Sequence, residues 1–331
     1  MSAARAAASP LETAQVLRHH TGAIQELILD ETGSRIVSSD SAGWVAYWDT
    51  GANEPLWSQK AMGVRLTGIS ASADLGELVA GGCAEEAAFE PSRWQIIRWK
   101  MPGGDRLSVL DGFAQSFDRL VVSSGLRHAA LVACGQRTGS ECLQPDITLL
   151  QPPTWRPHGQ PAGPRERITE LRFSPSGNIL LAAGCDAVNH DRTCSSPVIR
   201  LIESSTGEEQ TALKPAAIVN AAAFTADGSQ FFTAASDGSV ELWDIATRKS
   251  LRRFQGGRAA ATAAAVSPDG KQLAWGTYDG GLWTWKPDTG KAPIRTEIRT
   301  GPIHALAFSG DATKLAAGGA DRLIRIYRVT P

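Results

Sequence analysis

Five cysteines are the residues whose spacing points most directly to chemistry. None of them forms C-x-x-C or C-x-x-C-H, so a dithiol redox pair and a c-type haem both lack their motif. Cys142 follows Cys134 by eight residues, and Cys194 follows Cys185 by nine. We predict the disulfides Cys134–Cys142 and Cys185–Cys194, with Cys83 reduced, and each bridge would contribute about 2.5 kcal/mol in the chain-entropy description. Five reduced thiols are the alternative.

Other side chains that could do chemistry form weaker patterns. His190 lies between Asp186 and Asp191, which could bind a divalent cation or could form a solvated loop. A zinc site from Cys83, Cys134 and Cys185 would need three separate segments to converge. The motifs G-x-G-x-x-G, G-x-x-x-x-G-K, G-x-S-x-G and H-E-x-x-H are all absent from the sequence. We therefore expect no enzyme activity, no catalytic residue, no cofactor and no metal.

Length and composition narrow the class of protein. A chain of 331 residues is too long to fold around one ordinary compact core, so it forms either two domains or one large repetitive fold. The net charge of −1 gives no reason to expect nucleic acid or an anionic membrane as a ligand. No apolar run is long enough to span a bilayer, and the opening residues lack the apolar core of a signal peptide. A mature exported protein would look the same, so the compartment stays open.

An internal repeat organises the chain. Each unit contains alternating strands separated by turns of the S-P-D-G and D-G kind, which predicts antiparallel β-structure. An apolar residue opens the first strand of each unit, at Ile24, Leu66, Phe117, Ile168, Val219, Ala261 and Ile303. A second residue closes the third strand, at Trp48, Trp99, Leu150, Ile202, Trp243, Trp285 and Tyr327. Both markers give seven repeats of about 42 residues, of which three consecutive ones are longer by about nine.

The repeats resemble those of the WD40 family. Trp48-Asp49 and Trp243-Asp244 are the WD dipeptide, and the repeat length is that of one propeller blade. The resemblance implies an all-β protein, a single seven-bladed WD40-type β-propeller in which an N-terminal outer strand completes the last blade. We expect one domain over residues 1–331, with blades at about 19–60, 63–110, 113–157, 165–213, 216–255, 258–298 and 300–331, the last completed by 13–18.

The sequence also departs from the family pattern. The usual buried network joins a His before the first strand, a Ser or Thr on the second strand, an Asp in the turn and the Trp. Repeat one offers His20 and Trp48, but Ala42 occupies the turn position. Repeats five to seven carry the turn acids and lack the His. We therefore expect no complete network, and a propeller stabilised mainly by apolar packing.

Three long loops are the first candidate binding surface. Cys83, Cys134 and Cys185 are expected to end the second strand of repeats two to four, where the extra residues begin. In the family these loops emerge on the upper face, so three neighbouring blades would raise one wall there. Long loops in a compact fold are usually functional or disordered, and bracing disulfides would favour a functional role. The candidate contact residues are Glu85, Glu86, Phe89, Arg93, Arg137, Asp186, His190 and Arg192.

A ring of polar residues is the second candidate surface. The residue after each first-strand opener is polar in all seven repeats, namely Gln25, Thr67, Asp118, Thr169, Asn220, Thr262 and His304. By analogy with the family, this ring faces the upper mouth of the channel, with Arg65, Ser116 and Arg167 nearby. The ring could bind a ligand, or it could be polar because water fills the channel.

The resemblance and the missing catalytic motifs together predict a non-catalytic scaffold that binds a protein partner through its upper face. The alternative is a propeller enzyme, or a propeller that binds a small ligand or metal, at the channel mouth, with Asp118, Asn220 and His304 as its polar groups. We expect a monomer without nucleic-acid partners or membrane insertion. Disulfides would place it in a bacterial periplasm or outside the cell, and reduced thiols would place it in the cytoplasm.

Overall fold

The computed structural model describes residues 11–85, 93–111, 113, 116–138, 141–298 and 301–329. Within these ranges, 28 strands form seven antiparallel sheets of four strands each. The described residues contain no α-helix, and a 3₁₀ turn, Pro287–Thr289, is their only helical element. Consecutive sheets surround a central channel as blades. The prediction of an all-β, seven-bladed propeller is therefore confirmed.

The first four blades follow the chain from the channel outward. Blade 1 contains β2 (Ile24–Leu29), β3 (Arg35–Asp40), β4 (Trp44–Asp49) and β5 (Pro55–Lys60). Blade 2 contains β6 (Arg65–Ala71), β7 (Glu77–Glu85), β8 (Arg93–Lys100) and β9 (Asp105–Leu110). Blade 3 contains β10 (Phe117–Val122), β11 (Ala129–Thr138), β12 (Glu141–Gln151) and β13 (Arg156–Gly159). Blade 4 contains β14 (Arg167–Phe173), β15 (Ile179–Cys185), β16 (Pro197–Glu203) and β17 (Glu209–Leu213).

The last three blades keep the same order. Blade 5 contains β18 (Val219–Phe224), β19 (Gln230–Ala235), β20 (Ser239–Asp244) and β21 (Lys249–Gln255). Blade 6 contains β22 (Ala261–Val266), β23 (Leu273–Thr277), β24 (Gly281–Trp285) and β25 (Ile294–Glu297). Blade 7 contains β26 (Ile303–Phe308), β27 (Lys314–Gly319) and β28 (Leu323–Val329), and its outer strand is β1 (Leu11–Arg18).

The ring is closed by the N-terminal strand. β1 pairs antiparallel with β28, from Leu11 opposite Val329 to Arg18 opposite Leu323. Leu11 and Leu17 are buried, because they pack into the two apolar layers on either side of blade 7. Closure of this kind joins the two ends of the chain in one sheet, so that the ring has no open edge between its first and last blades. The predicted closure is confirmed.

Apolar layers fill the seven spaces between neighbouring blades. Seven separate clusters of buried side chains occur, and each combines residues from two adjacent blades. Alternation along each strand places one set of side chains on each face of the sheet, which is why every blade contributes to two layers. These layers hold the blades at fixed angles around the channel.

Each first strand contains a β-bulge at the same place. The pairing with the second strand skips one residue directly after the opener, for example between Ile24 and Glu26 and between Ile303 and Ala305. The skipped residue is in every blade the member of the polar ring. A bulge leaves the extra residue outside the ladder and turns its side chain. The polar ring is thus built by seven equivalent bulges.

Candidate functional site

The upper face carries both the connections between blades and the turns between second and third strands. The N–H of Val64 donates to the Cys83 carbonyl at 3.1 Å, and the N–H of Glu166 donates to the Cys185 carbonyl at 2.9 Å. Each bond joins the segment that enters a blade to the end of that blade's second strand. The extensions of blades 2 and 4 therefore begin beside the entry segments, on one face.

Blade 3 carries a raised hairpin on this face. β11 and β12 remain paired as far as Thr138 opposite Glu141. The disulfide Cys134–Cys142 crosses the hairpin, with a distance of 5.4 Å between the two Cα atoms. A cross-link inside a hairpin restricts its unfolded conformations and holds the two strands together.

Blade 4 carries a looser loop that is closed by the second disulfide. Cys185 and Cys194 are bonded, with 5.9 Å between their Cα atoms. Val188 pairs with Cys194 in an isolated bridge, and the N–H of Asn189 donates to the carbonyl of Thr193 at 2.8 Å. The exposed tip between them is therefore a short turn held at its base.

The cysteines of blades 2 and 3 do not end their strands, contrary to our expectation. β7 continues past Cys83 to Glu85, which pairs with Arg93, and β11 continues past Cys134 to Thr138. The described part of the inserted residues keeps the antiparallel pairing and lengthens the strands. In blade 4 the strand does end at Cys185. Cys83 is buried and forms no disulfide, and the bridges of Cys134 and Cys185 exclude the three-cysteine zinc site.

A groove of about 610 Å³ lies between the raised hairpin of blade 3 and blade 4. Its walls combine β12, the connection between the two blades and the outer half of blade 4, and its lining includes Gln144, Asp146, Arg165, Arg200 and Glu209. Both charge signs are present, and most of these side chains are accessible. The groove is therefore polar and open to solvent.

The predicted loop residues lie at different places on this face. Arg93 begins β8 and pairs with Asp111 at 2.9 Å in an exposed ion pair. Asp186, His190 and Arg192 lie in the disulfide-closed loop of blade 4, where His190 and Arg192 are exposed. The backbone of Glu85 belongs to β7 and that of Arg137 to β11, whereas Glu86 and Phe89 lie outside the described residues.

The two aspartates near His190 that could bind a cation accept hydrogen bonds from other protein groups. Asp186 accepts hydrogen bonds from the side chain of Arg200 at 2.6 Å and from the N–H of Arg165 at 3.2 Å. Asp191 accepts from the hydroxyl of Thr193 at 2.6 Å, and this bond lowers the pKa of Asp191. Among the described residues, no group of three His, Cys, Asp or Glu side chains is arranged to hold a metal ion.

The polar ring at the channel mouth bonds neighbouring blades to each other. Asn220 Nδ2 donates to the carbonyl of Ala261 in the next blade at 2.9 Å, and the hydroxyl groups of Thr169 and Thr262 donate to the carbonyls that open their next blades. Each first strand pairs with another strand along only one of its edges, and the buried carbonyl groups of the other edge need donors. Three of the seven ring members therefore satisfy backbone carbonyl groups of the next blade, whereas Gln25 and Thr67 donate to carbonyl groups of their own repeats.

The charged candidates at the mouth occupy the side of blades 2 to 4. Arg65 and Asp118 form an ion pair at 2.7 Å between blades 2 and 3. Arg167 begins β14, and the carbonyl of Ser116 accepts a hydrogen bond from the N–H of Cys134 at 2.9 Å. His304 lies across the channel in blade 7, where burial lowers its pKa and favours the neutral imidazole. The structure thus places these residues around one opening, with the charged ones on one side.

A cluster of charged side chains below the ring was missed in the sequence. The residue that follows each ring member is Glu26, Arg119 or Glu170 in blades 1, 3 and 4, and Gly or Ala in the other blades. Glu170 is 4% exposed, and its carboxylate accepts hydrogen bonds from Arg119 at 3.4 Å and from Arg172 at 3.0 Å. Aligning the seven repeats would have revealed this cluster, because only three of the seven positions carry a charge.

Blade 1 contains the complete buried network that we expected no blade to hold. His20 Nδ1 lies 3.0 Å from Asp40 Oδ2, His20 Nε2 lies 2.7 Å from Ser38 Oγ, and Trp48 Nε1 donates to Ser38 Oγ at 2.8 Å. The expectation was wrong because it placed the acid at Ala42, by counting from the D-G turns of later repeats. Asp40 lies two residues earlier, at the end of β3, where its carboxylate reaches back to the His.

The turn acids of the later blades serve a different purpose. Asp237, Asp279 and Asp321 cap their turns by accepting backbone or hydroxyl hydrogen bonds. Each also pairs with an arginine of its own blade, at distances between 2.6 and 3.3 Å. The pairs of Asp237 and Asp279 are exposed, and exposed ion pairs contribute little stability; the pair of Asp321 is partly buried. These acids therefore order surface turns and take no part in a buried network.

The disulfides give a direct prediction for thiol chemistry. In denaturant without reductant, one of the five cysteines, Cys83, is expected to react with a thiol reagent, because the other four are bonded in two bridges. After reduction, five thiols should react. A count of five before reduction would contradict both bridges.

Comparison with known proteins agrees with this architecture. Residues 208–244 and 293–328 match the family model described as WD domain, G-beta repeat. Each match begins with the outer strand of one blade and continues through three strands of the next, namely blades 4 and 5 and blades 6 and 7. A search of curated proteins finds no match. In the described part of the chain, no helix has the length and apolar character required to cross a membrane. The chain is a seven-bladed β-propeller that contains WD40 repeats.

Proposed function

We propose that this propeller is a non-catalytic platform that binds a protein partner through its upper face. The observation that supports it most is the position of the extensions, since three consecutive blades are lengthened on the same face and two of the extensions are closed by disulfides. WD40 propellers generally act as interaction scaffolds, and the family match supports the same role here. Preorganised loops bind with a smaller entropic cost than mobile ones.

The proposed contact surface includes the groove between blades 3 and 4 and the extensions beside it. Its residues are Glu85, Glu86, Phe89, Arg93, Arg137, Asp186, His190 and Arg192, and it continues at the mouth of the channel to Arg65, Ser116, Arg167, Asp118 and His304. Charges of both signs line the groove, which favours a partner segment with mixed charge. The inter-blade bonds of the polar ring favour a structural role for it over a ligand or metal site.

The two disulfides support a location in an oxidising compartment, such as a periplasm or the outside of the cell. There the bridges would persist and keep the extensions ordered. We further propose that the chain acts as one domain and is monomeric in the absence of its partner.

The proposal is tested by capture from the native source. One variant has the extensions of blades 2 to 4 replaced by the short turn of blade 5, with Cys134 and Cys185 changed to Ser. The matched control carries Arg127→Ala, Asn178→Ala and Lys271→Ala at exposed positions. These residues lie in turns between first and second strands, on the face opposite the extensions, which we call the lower face. We expect the intact chain and the control to capture the same protein, and the shortened variant to capture at least about tenfold less, since central contacts dominate binding energy. Equal capture by the shortened variant, or no capture by the intact chain, would contradict the proposal.

A further inference from the structure

The central channel has two unlike walls below the polar ring. Its cavity has a volume of about 730 Å³. On the side of blades 5 to 7, the lining side chains at two successive levels are alanines, namely Ala221, Ala223, Ala263, Ala265, Ala305 and Ala307. On the side of blades 1 to 4, Glu26, Arg119, Glu170 and Arg172 occupy these same two levels. Small side chains leave room opposite the charged wall.

The two acidic side chains of this wall, Glu26 and Glu170, bond to other groups of the protein. Glu26 Oε2 accepts a hydrogen bond from the N–H of Ile69 in blade 2. Blade 2 has Gly68 at this level because a Cβ there would lie 2.1 Å from the carbonyl oxygen of Leu120. Glu170 forms ion pairs with both Arg119 and Arg172. These contacts orient the cluster and explain its acids without a ligand.

The arginines have donors beyond these contacts. Arg119 Nη2 donates to the carbonyl of Thr169 at 2.8 Å, and its Nη1 reaches Glu170. Arg172 donates through Nε to Glu170, and 49% of its side chain is exposed in the channel. Two guanidinium groups held by one carboxylate present the fork of N–H donors that binds carboxylate and phosphate oxygens.

The charge balance of this wall also favours an anion. The channel lining contains three arginines, namely the pair in the cluster and Arg65, and the three acids Glu26, Glu170 and Asp118. Burial raises the pKa of Glu26 above its usual value, against the lowering effect of the Ile69 N–H and of the two arginines, so its negative charge is disfavoured. A disfavoured negative charge on Glu26 shifts the charge balance of this wall toward positive, in a confined space where charges are screened less than at the surface.

We propose that the channel binds a small oxyanion, a carboxylate or phosphate group, at the guanidinium groups of Arg119 and Arg172. The alanine wall leaves space for the remainder of a small molecule. This site is separate from the upper-face extensions, so the proposal does not depend on the protein-binding role.

Nuclear magnetic resonance of the arginine Nε–H groups tests the proposal on the intact chain. Sodium phosphate and sodium acetate are titrated separately, and sodium chloride at matched ionic strength gives the reference. We expect a saturable shift of the Arg119 and Arg172 signals with one or both oxyanions, and the tighter of the two identifies the preferred group. If neither phosphate nor acetate shifts the Arg119 and Arg172 signals more than chloride does, the proposal is overturned.

Two variants establish whether the binding belongs to this site. Arg172→Gln keeps a donor for Glu170 and is expected to weaken the binding by at least about tenfold, read from the Arg119 signal. Arg328→Gln removes an exposed arginine of β28 in blade 7 and should leave the affinity unchanged. Equal affinity in the wild type and the Arg172→Gln variant would overturn the assignment, as would an equal loss in both variants.

Discussion

Deleting residues 1–18 is expected to leave little or no soluble, folded protein. The deletion removes β1, exposes the edge of β28 and takes Leu11 and Leu17 out of two apolar layers. Loss of one buried leucine side chain costs about 2–5 kcal/mol, and whole domains are stable by only about 5–15 kcal/mol. The remaining three strands of blade 7 would also present an open edge that favours aggregation. Soluble yield, size-exclusion chromatography and thermal unfolding measure the effect.

A shorter deletion provides the matched control. Removing residues 1–10 leaves all of β1 in place, so this variant should fold with the melting temperature of the intact chain. If the deletion of residues 1–18 were monomeric and equally stable, closure of the ring by β1 would be wrong.

Asp40→Ala is expected to destabilise the propeller by about 3–5 kcal/mol, the usual cost of removing one partner from a buried charged network. Asp40 is fully buried and accepts hydrogen bonds from His20 and from the N–H groups of Gly22, Ala42 and Trp44. The variant would leave these donors without an acceptor inside the protein. Urea unfolding measures the free energy, and Glu208→Ala, at an exposed acid, is the control and should change it by less than about 0.5 kcal/mol. An unchanged stability of Asp40→Ala would contradict the network.

The same residue predicts part of the acid sensitivity. Burial alone would raise the pKa of Asp40, but hydrogen bonds from His20 and from the N–H groups of Trp44 and Gly22 outweigh it and lower the pKa to about 2. A lowered pKa stabilises the folded state above the unfolded value of 3.8, and this contribution is lost as the pH falls toward 2. We expect the stability difference between wild type and Asp40→Ala to shrink by about 2 kcal/mol between pH 5 and pH 2. A difference that is constant with pH would contradict this assignment.

Much of the architecture is predictable because propeller blades repeat. The apolar residues that begin the first strands and end the third strands, such as Ile24 and Trp48, recur once per blade and therefore reveal the number of blades. Among the described residues, blade 7 has no fourth strand at the C-terminal side, so its outer strand has to come from the N-terminal segment, which forms β1. The cysteine spacings predicted the bridges for a related reason, since residues eight or nine apart across a turn lie within reach of each other.

Features that depend on exact register were harder to predict. Asp40 was missed because its role depends on which residue of β3 faces His20, and a shift of two residues placed the acid at Ala42. The extension of β11 beyond Cys134 depends on hydrogen bonds between inserted residues, which a count of residues does not show. The channel cluster arises because Glu26, Arg119 and Glu170 follow a bulge, and the bulge decides which side chains face the channel.

Site-specific photo-crosslinking tests the proposed upper-face interaction most directly. A crosslinking amino acid replaces His190 at the tip of the blade 4 loop in one variant, and Lys271 in the lower-face turn between β22 and β23 in another; both positions are exposed. After incubation with extract from the native source, we predict that one protein becomes attached at position 190 and is not attached at position 271. Attachment of that protein at position 271 alone, or at neither position while the intact chain still captures it, would contradict binding through the upper face.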